Sequence, residues 1–363
     1  MAERRPPLHQ VHEEMGGNFT DFGGWSMPVE YTSIQDEHHA VRDDVGVFDV
    51  SHMGQVLVHG EDSRELMQKL TTNDVDELGV GDAQYSCITN EDGVLIDDTV
   101  VYRIGDDEYL FIPNAGSDEL MRDRLLRHRD EWSLDAEVEN RTEQYAMLAV
   151  QGPRSVNALD GVAEGDPGRI DPFGWRPIDV AGVGCIVART GYTGEDGFEL
   201  IFEAGSGEAE EIWSQLVEAE DVKPCGLGSR DTLRMEMGFL LSGQDFDPEE
   251  NPRTPIEAGL GFVVDTDTGF VGSEAIEEDE PEESITGFKL TERGVPRHGY
   301  VIEKDGERVG EVTSGTMSPT LEEPIGIGYV PVDIAEPGVE IEVVVRHKPK
   351  NAKIATTPFL DKQ

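Results

Sequence analysis

Positive charge is scarce in this chain: Lys and Arg number 29 against 76 Asp and Glu in 363 residues, a formal net charge of −47. Lysine is rarer still, with Arg supplying most of the cations. Such a polyanion has no cationic face to exchange for the counterions of a phosphate backbone, so nucleic-acid binding is disfavoured. Cysteine is also sparse. Cys87, Cys185 and Cys225 are far apart and odd in number, which excludes a disulfide framework and a zinc knuckle. No apolar run approaches the ~18 residues of a membrane span, and Met1 to Gln10 has no apolar signal-peptide core. A cytoplasmic protein in a reducing compartment is expected, with no membrane partner.

What remains is an ordinary globular content, 37% apolar residues plus 41 glycines, so the acid excess belongs mostly on the surface. That self-repulsion is tolerable where salt is dense, because the Debye length falls to about 3 Å at 1 M. A halophilic, salt-rich cell interior is therefore expected. The length suggests two or three domains.

Thr32 to Val45 reads as a capped helix, with Ser33 and Asp36 in capping-box spacing and Gly46 at its end. A strand over Val47 to Val50 follows, then strands over Gln55 to His59 and Val94 to Tyr102 around a helix over Ser63 to Leu70. Cys185 to Ala188 and Phe198 to Phe202 form a hairpin about the Gly-spaced turn Arg189-Thr-Gly-Tyr-Thr-Gly-Glu-Asp-Gly197. Helices are predicted over Glu208 to Glu218 and Ser229 to Leu241. Glu274 to Ser284 reads as a solvated linker or helix end. Beyond Ile285, short β-rich pieces (285–290, 299–302, 310–314, 326–330 and 339–345) alternate with Gly and Pro turns, as in a small antiparallel barrel or sandwich.

Generic signatures are weak. Gly182-Val-Gly184, Gly226-Leu-Gly228 and Gly326-Ile-Gly328 lack the third glycine and following helix of a dinucleotide fold. His38 and His39 point about 100° apart on a helix, cannot share a metal as an i, i+4 pair could, and read as surface residues. No metal site is expected. Asp97 and Asp98 stand out because they lie inside an apolar strand, where Asp is disfavoured. Alternation puts Ile96, Asp98, Val100 and Tyr102 on one face. An acid so flanked is either a solvated strand end or a partly desolvated carboxylate, its pKa raised, poised for proton transfer. Glu199 poses the same choice opposite the core-facing Phe198, Leu200 and Phe202. Arg230, just inside a helix N-terminus, opposes the macrodipole and suits an anionic ligand better than the helix.

Seven stretches together resemble the aminomethyltransferase, or T-protein, family of the glycine cleavage system. They are Asp21-Phe-Gly-Gly-Trp-Ser-Met-Pro-Val-Glu-Tyr31, Val45-Gly-Val-Phe-Asp-Val-Ser-His-Met-Gly54, Gly93-Val-Leu-Ile-Asp-Asp98, Leu148-Ala-Val-Gln-Gly-Pro153, Arg189 to Leu200, Gly226-Leu-Gly-Ser-Arg-Asp231 and Val312-Thr-Ser-Gly-Thr-Met-Ser-Pro319. The resemblance implies an α+β, three-lobed cloverleaf: two interleaved α/β folate-binding lobes over residues 1–278 and a C-terminal antiparallel β-barrel over 279–363. It implies tetrahydrofolate as co-substrate and the lipoylated carrier (H) protein as partner. The one-carbon unit would pass from the aminomethyl-lipoyl arm to tetrahydrofolate, with release of ammonia.

By the same resemblance Asp98 is the key acid against the folate nitrogens, and Glu199 accepts from the pterin N–H edge. Tyr192, Tyr85 and Asn114 complete the pocket, Arg230 pairs with the anionic tail or neighbouring acids, and Met53 packs on the pterin. Two departures are visible: Asp92-Gly93 replaces the usual Gly-Gly before the acidic strand, and the tail Thr357 to Gln363 is neither aromatic nor basic in the usual way. The alternative inside the superfamily is a folate-dependent demethylase of a small methylated amine or sulfonium compound. Outside it is the folate-binding relative linked to iron–sulfur maintenance, whose Lys-x-Cys-x-x-Gly signature Lys223-Pro-Cys-Gly-Leu-Gly228 matches formally. That match overlaps the Gly226 to Asp231 stretch and reads as coincidental, so Cys225 is expected to be dispensable.

Overall fold

Among residues 3–278 and 280–360, which the computed structural model describes, the chain divides into two units, each drawn from two stretches. One comprises Met1–Ser86 and Asp98–Arg230, the other Cys87–Asp97 and Asp231–Gln363. Helix and strand are mixed throughout, the α+β class expected.

The first unit is organised by a six-stranded sheet in the order Trp175–Val180, Val183–Ala188, Gly197–Glu203, Tyr145–Gln151, Gly46–Asp49, Lys223–Cys225. Strand alternation sends Phe198, Leu200 and Phe202, Ala146, Leu148 and Val150, and Val45 and Val47 into one apolar core. The helix Glu208–Ser214 seals that core with Ile212 and Trp213, and a π-helical turn over Gln215–Ala219 carries Leu216 inward where a continuous helix is predicted. The opposite face of the sheet carries Glu199. Its cross-strand partners are Ala188 and Ala149, two of the smallest side chains. A five-stranded sheet follows the order Ala83–Thr89, Leu95–Gly105, Glu108–Ile112, Val56–His59, Glu137–Asn140.

The capped helix runs over Ile34–Asp43, with the Ser33 hydroxyl accepting from the Asp36 N–H at 3.1 Å. Its inner face corrects one expectation: His38 is fully buried and His39 half-buried, not surface residues. The helix has few apolar residues, so Glu37, His38 and Val41 turn inward instead. Glu37 is satisfied there by the N–H groups of Tyr31 at 2.7 Å, Thr32 at 3.0 Å and Gly226 at 2.9 Å. The Gly226-Leu-Gly228 fragment is thus a close-packing device and no nucleotide loop: a Cβ on Gly226 would lie 2.3 Å from the Val29 carbonyl group.

In the second unit the predicted barrel is present and closed, in the order Glu283–Leu290, Pro324–Pro331, Glu307–Met317, Val301–Lys304, Glu340–Val345, Lys348–Ala355, with every pairing antiparallel. Phe288, Ile302, Val312, Val330, Val343 and Ile354 fill its interior. The last strand is additional to the sequence reading. The helix predicted to reach Leu241 ends at Met237, because Gly238 takes φ +72°. Of the stretch read as a linker over 274–284, the start belongs to the helix Ser273–Glu277, Glu283 and Ser284 belong to the first barrel strand, and Asp279 lies outside the described residues.

Candidate functional site

Every residue expected at the site lies in the first unit. Asp98 is buried, and both its oxygens are held: the Tyr85 hydroxyl donates to Oδ2 at 2.6 Å and the Asn114 amide donates to Oδ1 at 2.7 Å. Asn114 also donates to the Asp98 carbonyl at 3.0 Å, tying the loop after the Glu108–Ile112 strand to the acid. Three expected residues are therefore one hydrogen-bonded group, and the solvated-strand-end reading of Asp98 is excluded. Asp97 is also fully buried.

The half-buried Met53 sits in a short loop whose shape is fixed by backbone bonds. Its N–H donates to the Val50 carbonyl, its carbonyl accepts from the Gln55 amide, and Gly54 N–H donates to the Pro113 carbonyl at 2.8 Å. That last bond sets the Met53 loop beside the segment bearing Asn114.

The second group is centred on Glu199, which is 7% exposed. Thr190 donates to its Oε2 at 2.5 Å, and the Tyr102 hydroxyl donates to the same atom at 3.3 Å. Burial, then the Glu199 charge, push the Tyr102 phenol well above its ordinary value, so it remains a donor. The Arg230 guanidinium lies 4.6 Å from the centre of the Tyr192 ring, and its charge faces Glu199. Burial lowers the Arg230 pKa while Glu199 and Tyr192 oppose that shift. Arg230 Nη1 is buried without a hydrogen-bond partner.

The Gly-spaced turn presenting Tyr192 is more than a plain hairpin connection. Gln151 reaches under it, donating to the Thr190 carbonyl at 3.1 Å and accepting from Thr193 at 2.8 Å. A Cβ on Gly191 would sit 2.1 Å from that amide, so any other residue there would have to displace the Gln151 side chain. Arg189 and Asp196 close the base of the turn with paired bonds of 2.8 and 2.6 Å, and Arg42 binds the Thr193 carbonyl at 2.7 Å.

One strand links the two groups. Asp98 and Tyr102 share a face of Leu95–Gly105 four residues apart, roughly 13 Å between Cα atoms. Tyr102, Thr190 and Gln151 were not singled out by sequence reasoning, although the shared face of Asp98 and Tyr102 was already visible. Also unforeseen is a buried chain in which Tyr31 hydroxyl and His12 Nδ1 lie 2.8 Å apart and His12 Nε2 and Asp49 Oδ2 2.8 Å apart. Burial works against the Asp49 charge, but His12 and Ser51 outweigh it and hold the carboxyl below its usual range. His59, Glu137 and Glu139 bring ligand-type atoms within 4.8 Å of one another, but they are solvent-accessible and Glu139 is paired with Arg141.

Comparison with known proteins converges on one family. A family model described as the GCVT N-terminal domain matches residues 8–268, and one described as the glycine cleavage T-protein C-terminal barrel domain matches residues 284–361. The chain is 54% identical to a probable aminomethyltransferase of Halobacterium salinarum, over 99% of this chain and 100% of the relative. It is 42% identical to an aminomethyltransferase of Halothermothrix orenii, over 98% of this chain and 100% of the relative. The crystal structure of glycine cleavage system aminomethyltransferase T from Bartonella henselae matches with a TM-score of 0.90 at 30% identity, covering 99% of each chain.

Proposed function

The chain belongs to the glycine-cleavage T-protein family and is an aminomethyltransferase, and on that premise we propose that tetrahydrofolate and a lipoylated carrier protein are its substrates and that the two anchored carboxylates of the first unit hold and serve the folate. The observation that carries this reading is the single strand face joining Asp98 to the Tyr102–Glu199 pair, with Arg230 beside the second acid. The donor set suits a reduced pterin. Glu199, fixed through Oε2, turns its other oxygen to an amino and N–H edge, and the buried Arg230 Nη1 is a cationic donor in want of an acceptor.

Carbon transfer to tetrahydrofolate releases two protons from its nitrogens, and the departing ammonia and thiol take up two. Asp98 is the group that moves them: its carboxylate is held in orientation by Tyr85 and Asn114, so no reorganisation is needed when a proton arrives. Tyr192 and Met53 flank the ring, and Glu199 sets its register. The acid excess supports work in a salt-rich cytoplasm, where screening mutes repulsion from an acidic carrier.

Mixing the protein in strong brine with tetrahydrofolate and aminomethyl-lipoyl carrier is expected to yield methylene-tetrahydrofolate and ammonia, and omitting the carrier is expected to abolish both. Formation from a free methylated amine without carrier would overturn the assignment of the donor.

Cys225 stands outside this chemistry. It is buried, its thiol meets the Lys223 carbonyl at 3.3 Å and the Glu37 carbonyl at 3.6 Å, and burial pushes its pKa well up. Cys225→Ser retains both acceptors and is expected to keep turnover within about twofold, in line with a substitution that creates no cavity and leaves no buried group unpaired. A loss beyond tenfold in the same assay would return the thiol to the mechanism.

A further inference from the structure

His52 is 1% exposed, yet its Nδ1 has no hydrogen-bond partner. The ring is held by packing, edge-on to Phe22 with centroids 5.4 Å apart. Two charges face it, Arg230 and Asp49. Asp49 is already engaged by His12 at 2.8 Å and by the Ser51 N–H at 2.9 Å. Arg230, although its guanidinium lies over the Tyr192 ring, keeps Nη1 buried without a hydrogen-bond partner.

Buried polar atoms in native folds are nearly always paired, so one unpaired atom on each of two buried residues whose charges act on each other needs an explanation. A leucine at position 52 would fill similar space with nothing left unsatisfied. Positions where a fold keeps such a local conflict tend to be those where a ligand completes the bonding.

We propose that His52 is a further ligand-contacting residue and that its imidazole and Arg230 Nη1 together hold one oxygen of the bound folate. The inference rests on the folate reading above. With its proton on Nδ1, His52 supplies a second donor to the acceptor that Arg230 attracts. Burial and the Arg230 charge push its pKa down to about 3, so it adds a donor without adding a second cation. The oxygen belongs either to the ring carbonyl or to a carboxylate of the tail, acceptors of the same chemistry.

The test is equilibrium binding, in strong potassium chloride and without oxygen, of tetrahydrofolate and of 6-methyltetrahydropterin, which lacks the tail, to the full-length protein and its variants. His52→Leu is expected to weaken tetrahydrofolate about tenfold or more, with a thermal midpoint no lower than that of the unsubstituted protein. His52→Asn, which returns an N–H near the Nδ1 position, is expected to stay within about threefold. Weakening of both ligands assigns the ring carbonyl, weakening of tetrahydrofolate alone the tail, and either supports the contact. If His52→Leu loses its cooperative melt, His52→Phe takes its place with the same expected loss. Unchanged affinity of the apolar variant for both ligands overturns the role of His52 and leaves the enzyme's function standing. Failure of the unsubstituted protein to bind tetrahydrofolate overturns the folate reading itself.

Discussion

Asp98→Asn is expected to slow turnover at least ~100-fold while leaving tetrahydrofolate affinity within a few-fold, the lower size of a general acid–base effect. The substitution is close to isosteric, and the local bonding can accommodate it. The carbonyl oxygen of the introduced amide can still accept from the Asn114 amide, now at 2.7 Å from Oδ1, while its amino group can turn to the Tyr85 oxygen, which accepts as well as donates. The pocket therefore keeps its shape and loses only the oxygen that can take a proton. A combined measurement of binding and single-turnover carbon transfer separates the two effects. Turnover within tenfold of the unsubstituted enzyme would remove Asp98 from proton transfer and leave it a positioning residue.

Dialysis from molar salt into millimolar salt is expected to abolish the fold, seen as loss of the far-ultraviolet circular dichroism of both helix and sheet and of the cooperative melt. The cause is arithmetic: 29 cations cannot neutralise 76 acids, and the residual −47 repels itself. At about 1 M salt the Debye length is ~3 Å, shorter than the spacing of most surface charges, whereas at 0.01 M it is ~30 Å and the whole molecule feels every charge. Many of the cations are already committed to local pairs, as in Arg154 with Asp44 at 2.6 Å and Arg189 with Asp196 at 2.6 Å. Pairs this exposed contribute little individually and cannot offset a global field. A full spectrum and an unshifted melt at millimolar ionic strength would reject the salt requirement.

Elements whose character is set by their own residues were legible in the sequence. The acids of the Leu95–Gly105 and Gly197–Glu203 strands announced themselves because carboxylates interrupt β-branched and aromatic runs. Five of the six barrel strands were visible from Gly and Pro punctuation. The sixth, Lys348–Ala355, was hidden because Lys348 and Lys350 occupy the alternation positions shared by the buried Ala352 and Ile354, so the inner face does not read as apolar. What depends on distant partners was not legible. His38 and Glu37 look like solvated residues of an acidic helix until Gly226, nearly two hundred residues away, supplies a donor. Likewise, nothing local to Thr190 or Tyr102 reveals that both close on one oxygen of Glu199. The orphaned state of His52 is a property of the packed interior, visible only once Phe22, Asp49 and Arg230 are in place.

The excursion of Cys87–Asp97 out of the first unit bears on how the protein is made. Leu95 donates its N–H to the Arg253 carbonyl, and Thr89 its hydroxyl to the Val271 carbonyl, 182 residues further on. On a ribosome this segment emerges long before those acceptors exist, although the chain needed for the pocket is complete at Arg230. Vectorial synthesis thus delivers a nascent chain in which Asp98 and Glu199 are already present while the turn before Asp98 still awaits its permanent neighbours. Stalled or truncated translation products should accumulate as protease-sensitive species nicked at this turn.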